Sequence, residues 1–434
     1  MEQLQKANRD FSVERMLHTP FGASTSMPVE ISDLALEAWA AVQASPMAYH
    51  AVQCASATAS CNAAAACQTL DALGHRGDAL RLINEEVSSL RDGDEPSDEL
   101  LLSVLCMATE RQDPRTEACL RALNARLPHP FRLRPGTALD WTAGFETTRP
   151  NDVHDAALRA LLARRKRGLR GLANRGIAAM IAAHDAHVAA LALRPPSQPF
   201  LATIDYSAST PATTQSSLSP SPEPFLDAEP PVGHALRRLL QSPTASLSAA
   251  LRSTLTQLSA VLASGRPTTA VHAGAAARDG DAARALHHHA LSLLPPARGA
   301  EPSALAEALR VAVLLLDLAV VHPYPPSTGV PQRLVRALRD ALALALEQLP
   351  EERGGDDDEA LVLWLLFVGG VAARVTEGEA ERRWFVEAIA SLLKGRGVRR
   401  WKWVKGFLEG YIWDGDSMDA EGVDLWDEVR ALEG

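Results

Sequence analysis

The chain has 434 residues, of which 47% are hydrophobic and 22% charged, a composition that excludes disorder throughout and allows a large packed core. Its 43 basic and 53 acidic residues leave a net charge of −10, so the chain as a whole has no attraction for phosphate or anionic lipid. The five cysteines, Cys54, Cys61, Cys67, Cys106 and Cys119, are odd in number and do not form a secreted disulfide framework, which points to a reducing compartment.

The first thirty residues mix both charges, carry no apolar stretch of the kind a signal peptide needs, and are expected to be a flexible segment (1–30). From there apolar residues recur at helical spacing and strand-like alternation is scarce, so an all-α, multi-helix domain is expected. Ser32 is placed to cap a helix through Ala41, and Leu80, Ile83, Val87 and Leu90 share one face, which predicts a core seam. Ser97 offers an N-cap oxygen before Asp98 and Glu99, opening a helix over Leu100–Glu110, and a further helix is expected to begin near Pro114. Asn151 and Asp152 open a long stretch to Leu193 that Gly168, Gly171 and Gly176 should weaken or break.

Residues 31–201 thus form a first helical part. The segment 202–232, densest in Ser, Thr and Pro between Ser207 and Pro231, cannot bury enough surface to offset its ordering entropy and is expected to loop out disordered. Residues 233–434 form a second helical part, expected to pack with the first. In it Leu247, Leu251, Leu255, Leu258 and Leu262 keep helical spacing, with Gly265 at a left-handed cap position. Another helix should start at Pro302 and run through Val321 until His322, Pro323, Pro325 and Pro326 stop it. Arg333–Leu349 is amphipathic, Glu351–Glu359 is expected to be an acidic loop, and the apolar run Ala360–Ala373 is too short for a bilayer and reads as a buried helix.

Few constellations carry chemistry. Cys54, Cys61 and Cys67 lack the two C-x-x-C pairs of a binuclear zinc module, so small buried thiols are expected. His184 and His187, with Asp185 beside them, share a helix face but have no third ligand fixed by spacing, and His287, His288 and His289 are expected to be solvated or capping. No metal or other cofactor is expected, and no nucleophile, base and oxyanion arrangement supports an enzyme. Arg164, Arg165, Lys166 and Arg167 are the dense basic run, a candidate for nuclear import or phosphate contact that can equally be a solvated helix face. Trp403, Phe407 and Tyr411 stand four apart, which predicts a buried face closed by Trp413 and Trp426.

Several segments together resemble the helical regulatory region of fungal-specific transcription factors. They are ALGHRGDALRLINEEVSSL at 72–90 with SDELLLSVLCMATER after it, RGLRGLANRGIAAMIAAHDAHVAALALRPPSQPF at 167–200, and EALRVAVLLLDLAVVHPYPPSTGV at 307–330. The C-terminal series is the most specific: LVLWLLFVGGVAA at 361–373, ERRWFVEAIA at 381–390, WKWVKGFLEGYIW at 401–413 and LWDEV at 425–429, in family order. In that family an N-terminal binuclear zinc cluster normally precedes the region, and no such cluster is expected in this chain. The resemblance implies a nuclear transcription-regulatory domain without its own DNA-binding module. Its expected partners are the transcription machinery or a related DNA-binding factor, with a small-molecule effector as a further route. It implies no direct sequence-specific DNA binding and no catalytic residue. The rival reading is a helical scaffold without a transcriptional role, cytoplasmic rather than nuclear.

Overall fold

The structure is a computed structural model and describes residues 33–60, 70–108, 114–127, 129–131, 151–201, 233–242, 247–264, 273–294, 303–348, 356–375 and 379–433. Among the described residues there are sixteen α-helices and no strand. The all-α expectation holds. The expected N-terminal segment, the Ser207–Pro231 loop, Cys61 and Cys67 lie outside the described residues. The chain divides into two compact units. One comprises Met1–Ala122, Ala138–Ala189 and Pro196–Thr203, and the other Leu123–Thr137, Ala190–Pro195 and Ile204–Gly434.

In the first unit α1 (Asp33–Ala44), α2 (Pro46–Ser60) and α3 (Leu70–Ser89) precede α4 (Asp98–Ala108). Ser97 Oγ accepts from the Leu100 amide at 3.0 Å, the predicted cap. Leu100, Leu101, Leu102, Val104 and Leu105 are all buried, so α4 is apolar around most of its circumference and forms the centre against which α2, α3 and α6 pack. The predicted α3 seam holds at Ile83, whereas Val87 is 39% exposed.

After α5 (Pro114–Arg126), the stretch from Asn151 divides as its glycines suggested. Asn151 Oδ1 caps α6 (Asp152–Arg164) through Val153 and His154, and a short 3₁₀ turn covers Gly168–Gly171. Gly168 takes φ +52°, a conformation that breaks the helix and favours glycine. Asn174 Oδ1 then accepts from the Ile177 amide at 3.0 Å and restarts the chain as α7 (Arg175–Ala192).

The second unit contains α8 (His234–Gln241), α9 (Ala249–Ser264), α10 (Ala273–Ser292), α11 (Ala304–Leu316) and α12 (Val330–Gln348). They are followed by α13 (Asp356–Ala372), α14 (Ala380–Leu393), α15 (Trp401–Leu408) and α16 (Gly415–Glu433). Ser303, rather than the predicted Pro302, opens α11, its Oγ accepting from the Ala306 amide at 3.2 Å. Asp356–Glu359, expected in the acidic loop, instead form the first turn of α13, and the rest of that expected loop lies outside the described residues. From Leu361 to Val368 every residue of α13 is buried, so this helix is the axis of the unit, with α11, α12, α14 and α16 around it.

Candidate functional site

The most concentrated buried polar chemistry lies where α11 ends. Pro323 disfavours α geometry at His322, and Pro323, Pro325 and Pro326 have no amide to donate. The last turn therefore widens into a π segment, Asp317–Val321. The His322 amide donates to the Asp317 carbonyl at 2.7 Å, five residues back, and the Tyr324 amide donates to Leu318 O at 3.0 Å. His322 leaves helical geometry at φ −123°, ψ 72°, and its ring folds back onto Asp317.

Asp317 is fully buried, and its carboxylate bridges two imidazoles: Oδ2 lies 2.7 Å from His287 Nδ1 on α10, and Oδ1 lies 2.9 Å from His322 Nδ1. The rings have centroids 4.5 Å apart, with the Tyr324 ring 6.2 Å from that of His287. Burial opposes the Asp317 charge, but the two histidines outweigh it and hold the carboxyl well below the usual carboxylate range. Burial, then repulsion from His287, lowers the pKa of the His322 imidazole and favours its neutral form. Burial and the nearby Asp317 carboxylate push the Tyr324 phenol well above its ordinary range. One ligand atom from each of His287, Asp317 and His322 can be chosen so that all lie within 4.8 Å of one another, the one such grouping of three among the described residues.

The expected solvated or capping role therefore fails for His287, which is 3% exposed. His289 follows a different course, its Nδ1 lying 2.9 Å from Gln257 Oε1, and burial followed by repulsion from His288 lowers its pKa. In the sequence His287 stands only within its His-His-His run, His322 reads as part of a helix stop, and nothing singles out Asp317. The available signal was an aspartate five residues before a histidine followed by proline, at a helix end. Nothing in sequence spacing links it to position 287, thirty residues earlier.

The other weighed residues are placed as follows. His184 and His187 are both buried on α7, with His184 Nε2 3.4 Å from Asp155 Oδ1. Asp185 instead holds the chain after the helix, accepting from the Ser197 amide at 2.6 Å, the Ser197 hydroxyl at 2.7 Å and the Gln198 amide at 2.8 Å. Cys54 is buried, Cys119 is exposed, and burial, then the nearby Cys54, pushes the Cys106 thiol up to about 12.

The basic run is split by its own geometry. The Arg165 guanidinium turns inward, donating to Asp98 Oδ1 at 2.8 Å, Pro96 O at 2.6 Å and Gly171 O at 2.7 Å. Arg164 donates to Arg91 O from an exposed position, and Lys166 and Arg167 are exposed. In the aromatic series Tyr411, Trp413 and Trp426 are buried, but the predicted face is not: Trp403 is 56% exposed, its ring parallel to that of half-buried Phe407 at 6.2 Å. α15 instead buries Val404 and Leu408, a rotation that periodicity of aromatic residues alone could not distinguish.

The fold defines an all-helical protein whose second unit is built on the buried helix α13. Residues 235–433, from the first turn of α8 to the end of α16, match the family model of the fungal specific transcription factor domain. The resemblance seen in the four C-terminal segments is thereby shown. No curated protein and no solved structure matches the chain.

Proposed function

We propose that the chain is a nuclear transcription regulator that acts through contacts with protein partners or an effector and leaves the reading of DNA to another polypeptide. The observation carrying this reading is the family match over 235–433, which coincides with the helices of the second unit. The role is regulatory rather than catalytic. Exposed Lys166 and Arg167, with Arg164 beside them, are the candidate import or phosphate-contact residues.

The test is the full chain fused to a heterologous DNA-binding domain at a reporter, with localisation followed in parallel. A change in transcription of at least several-fold together with nuclear accumulation is expected. A fusion that reaches the reporter promoter and leaves transcription unchanged would favour the scaffold reading.

A further inference from the structure

We propose that His287, Asp317 and His322 form a binding site for one divalent transition ion of the zinc class, joining α10 to the π segment that follows α11. The donor set is two imidazole nitrogens and one carboxylate oxygen, a combination that suits zinc and its first-row neighbours and not calcium or magnesium. Its atoms come from two elements separated by thirty residues and converge within 4.8 Å.

The spacing fits. A metal about 2.0 to 2.1 Å from each donor requires adjacent donors about 2.9 Å apart in an octahedral arrangement and about 3.3 Å apart in a tetrahedral one. The His287 Nδ1 to Asp317 Oδ2 separation is 2.7 Å and that of His322 Nδ1 to Oδ1 is 2.9 Å, and the three donors together lie within 4.8 Å, so side-chain adjustments of up to about 1.5 Å bring them onto one ion. Each imidazole binds the metal through its Nδ1 lone pair with its remaining proton on Nε2, and the carboxylate binds through oxygen without change of oxidation state.

The local backbone is committed to this convergence. The π segment, closed by the His322 amide on the Asp317 carbonyl, is what brings two side chains five residues apart onto one point. An α-helix would turn them to different sides. All three residues are at most 3% exposed, so the ion is taken up as the unit folds and exchanges slowly afterwards.

The experiment uses the full chain produced in zinc-supplemented medium, purified without chelator and analysed for metals, with a second preparation from cobalt-supplemented medium. The expected result is about one ion per chain and, in the cobalt form, visible d–d bands without the near-ultraviolet thiolate charge-transfer band that a cysteine site would give. His322→Gln should lose the ion. If that variant does not fold, His322→Cys supplies a positive signal, because a thiolate charge-transfer band appears only when position 322 ligates the cobalt. Absence of bound metal in both wild-type preparations overturns the proposal. So does a thiolate band in the wild type, retention of the ion in folded His322→Gln, or a cobalt-loaded His322→Cys form without the band.

Discussion

Gly369 of α13 lies directly against Phe385 of α14: a methyl group on its Cα would fall 2.3 Å from Phe385 Cε1 and 3.1 Å from Leu338 Cδ2 of α12. The next residue, Gly370, stands in the same relation to Leu425 of α16, at 2.7 Å from Cδ2. This glycine pair lets three helices approach one axis. Gly369→Ala should therefore destabilise the second unit despite the better helix propensity of alanine, by about 1 to 3 kcal/mol, the usual range for overpacking a core. Thermal denaturation checks it, and a melting midpoint equal to or above the wild type would show that Phe385 yields without cost.

Arg165 and Lys166 are neighbours in the basic run with opposite fates. Removing Arg165 leaves the Asp98 carboxylate, 10% exposed, without the guanidinium 2.8 Å away, so Arg165→Ala should cost about 3 to 5 kcal/mol, as for breaking a buried ion pair. Exposed Lys166→Ala should change stability by no more than about 0.5 kcal/mol. Urea denaturation of the two variants side by side is the measurement. Equal effects would mean that the Arg165 contacts do not hold in solution.

Trp364 and Trp403 make a similar contrast. Trp364 is 1% exposed, stacks on Tyr411 with centroids 5.5 Å apart, and donates through Nε1 to the Ile412 carbonyl at 2.9 Å. Trp364→Ala should cost about 3 to 5 kcal/mol, whereas Trp403→Ala, at an exposed position, should stay within about 0.5 kcal/mol. Fluorescence-monitored denaturation distinguishes them. A large loss at Trp403 would restore the buried aromatic face that its four-residue spacing first suggested.

What was legible in the sequence was what short-range physics determines. Ser97 and Asn151 cap helices because their side-chain oxygens reach amides two or three residues on, and Gly168 breaks one because its backbone permits positive φ. The buried helix over 361–373 was legible because a run apolar on every side has no other stable place. The rotation of α15 was not. Val404 and Trp403 are neighbours in sequence, and only the surrounding helices decide which turns inward. The His287, Asp317 and His322 centre was illegible for a related reason, since its two halves are joined by packing rather than spacing. Arg165 was read with its basic neighbours because its partner Asp98 is 67 residues away.

His129 provides a pH dependence with a definite sign. Its Nδ1 lies 2.9 Å from the Phe131 carbonyl, and burial, only partly offset by backbone hydrogen bonds involving Phe131 and Tyr324, pushes the imidazole down to about 4. An unfolded histidine titrates near 6.5. Above that pH the ring is neutral in both states and contributes nothing to the pH dependence. As the pH falls below about 6.5 the unfolded chain takes up a proton that the folded one refuses, so stability declines until the folded ring also titrates near 4, where the accumulated loss levels off at about 3 kcal/mol. His129→Gln removes the titrating group while retaining a polar side chain. The difference in urea midpoint between wild type and variant should therefore change in the variant's favour between pH 7.5 and pH 4.5, with little further change below pH 4. Parallel acid sensitivity of the two proteins across that window would show that the His129 ring takes up its proton equally in the folded and unfolded chain.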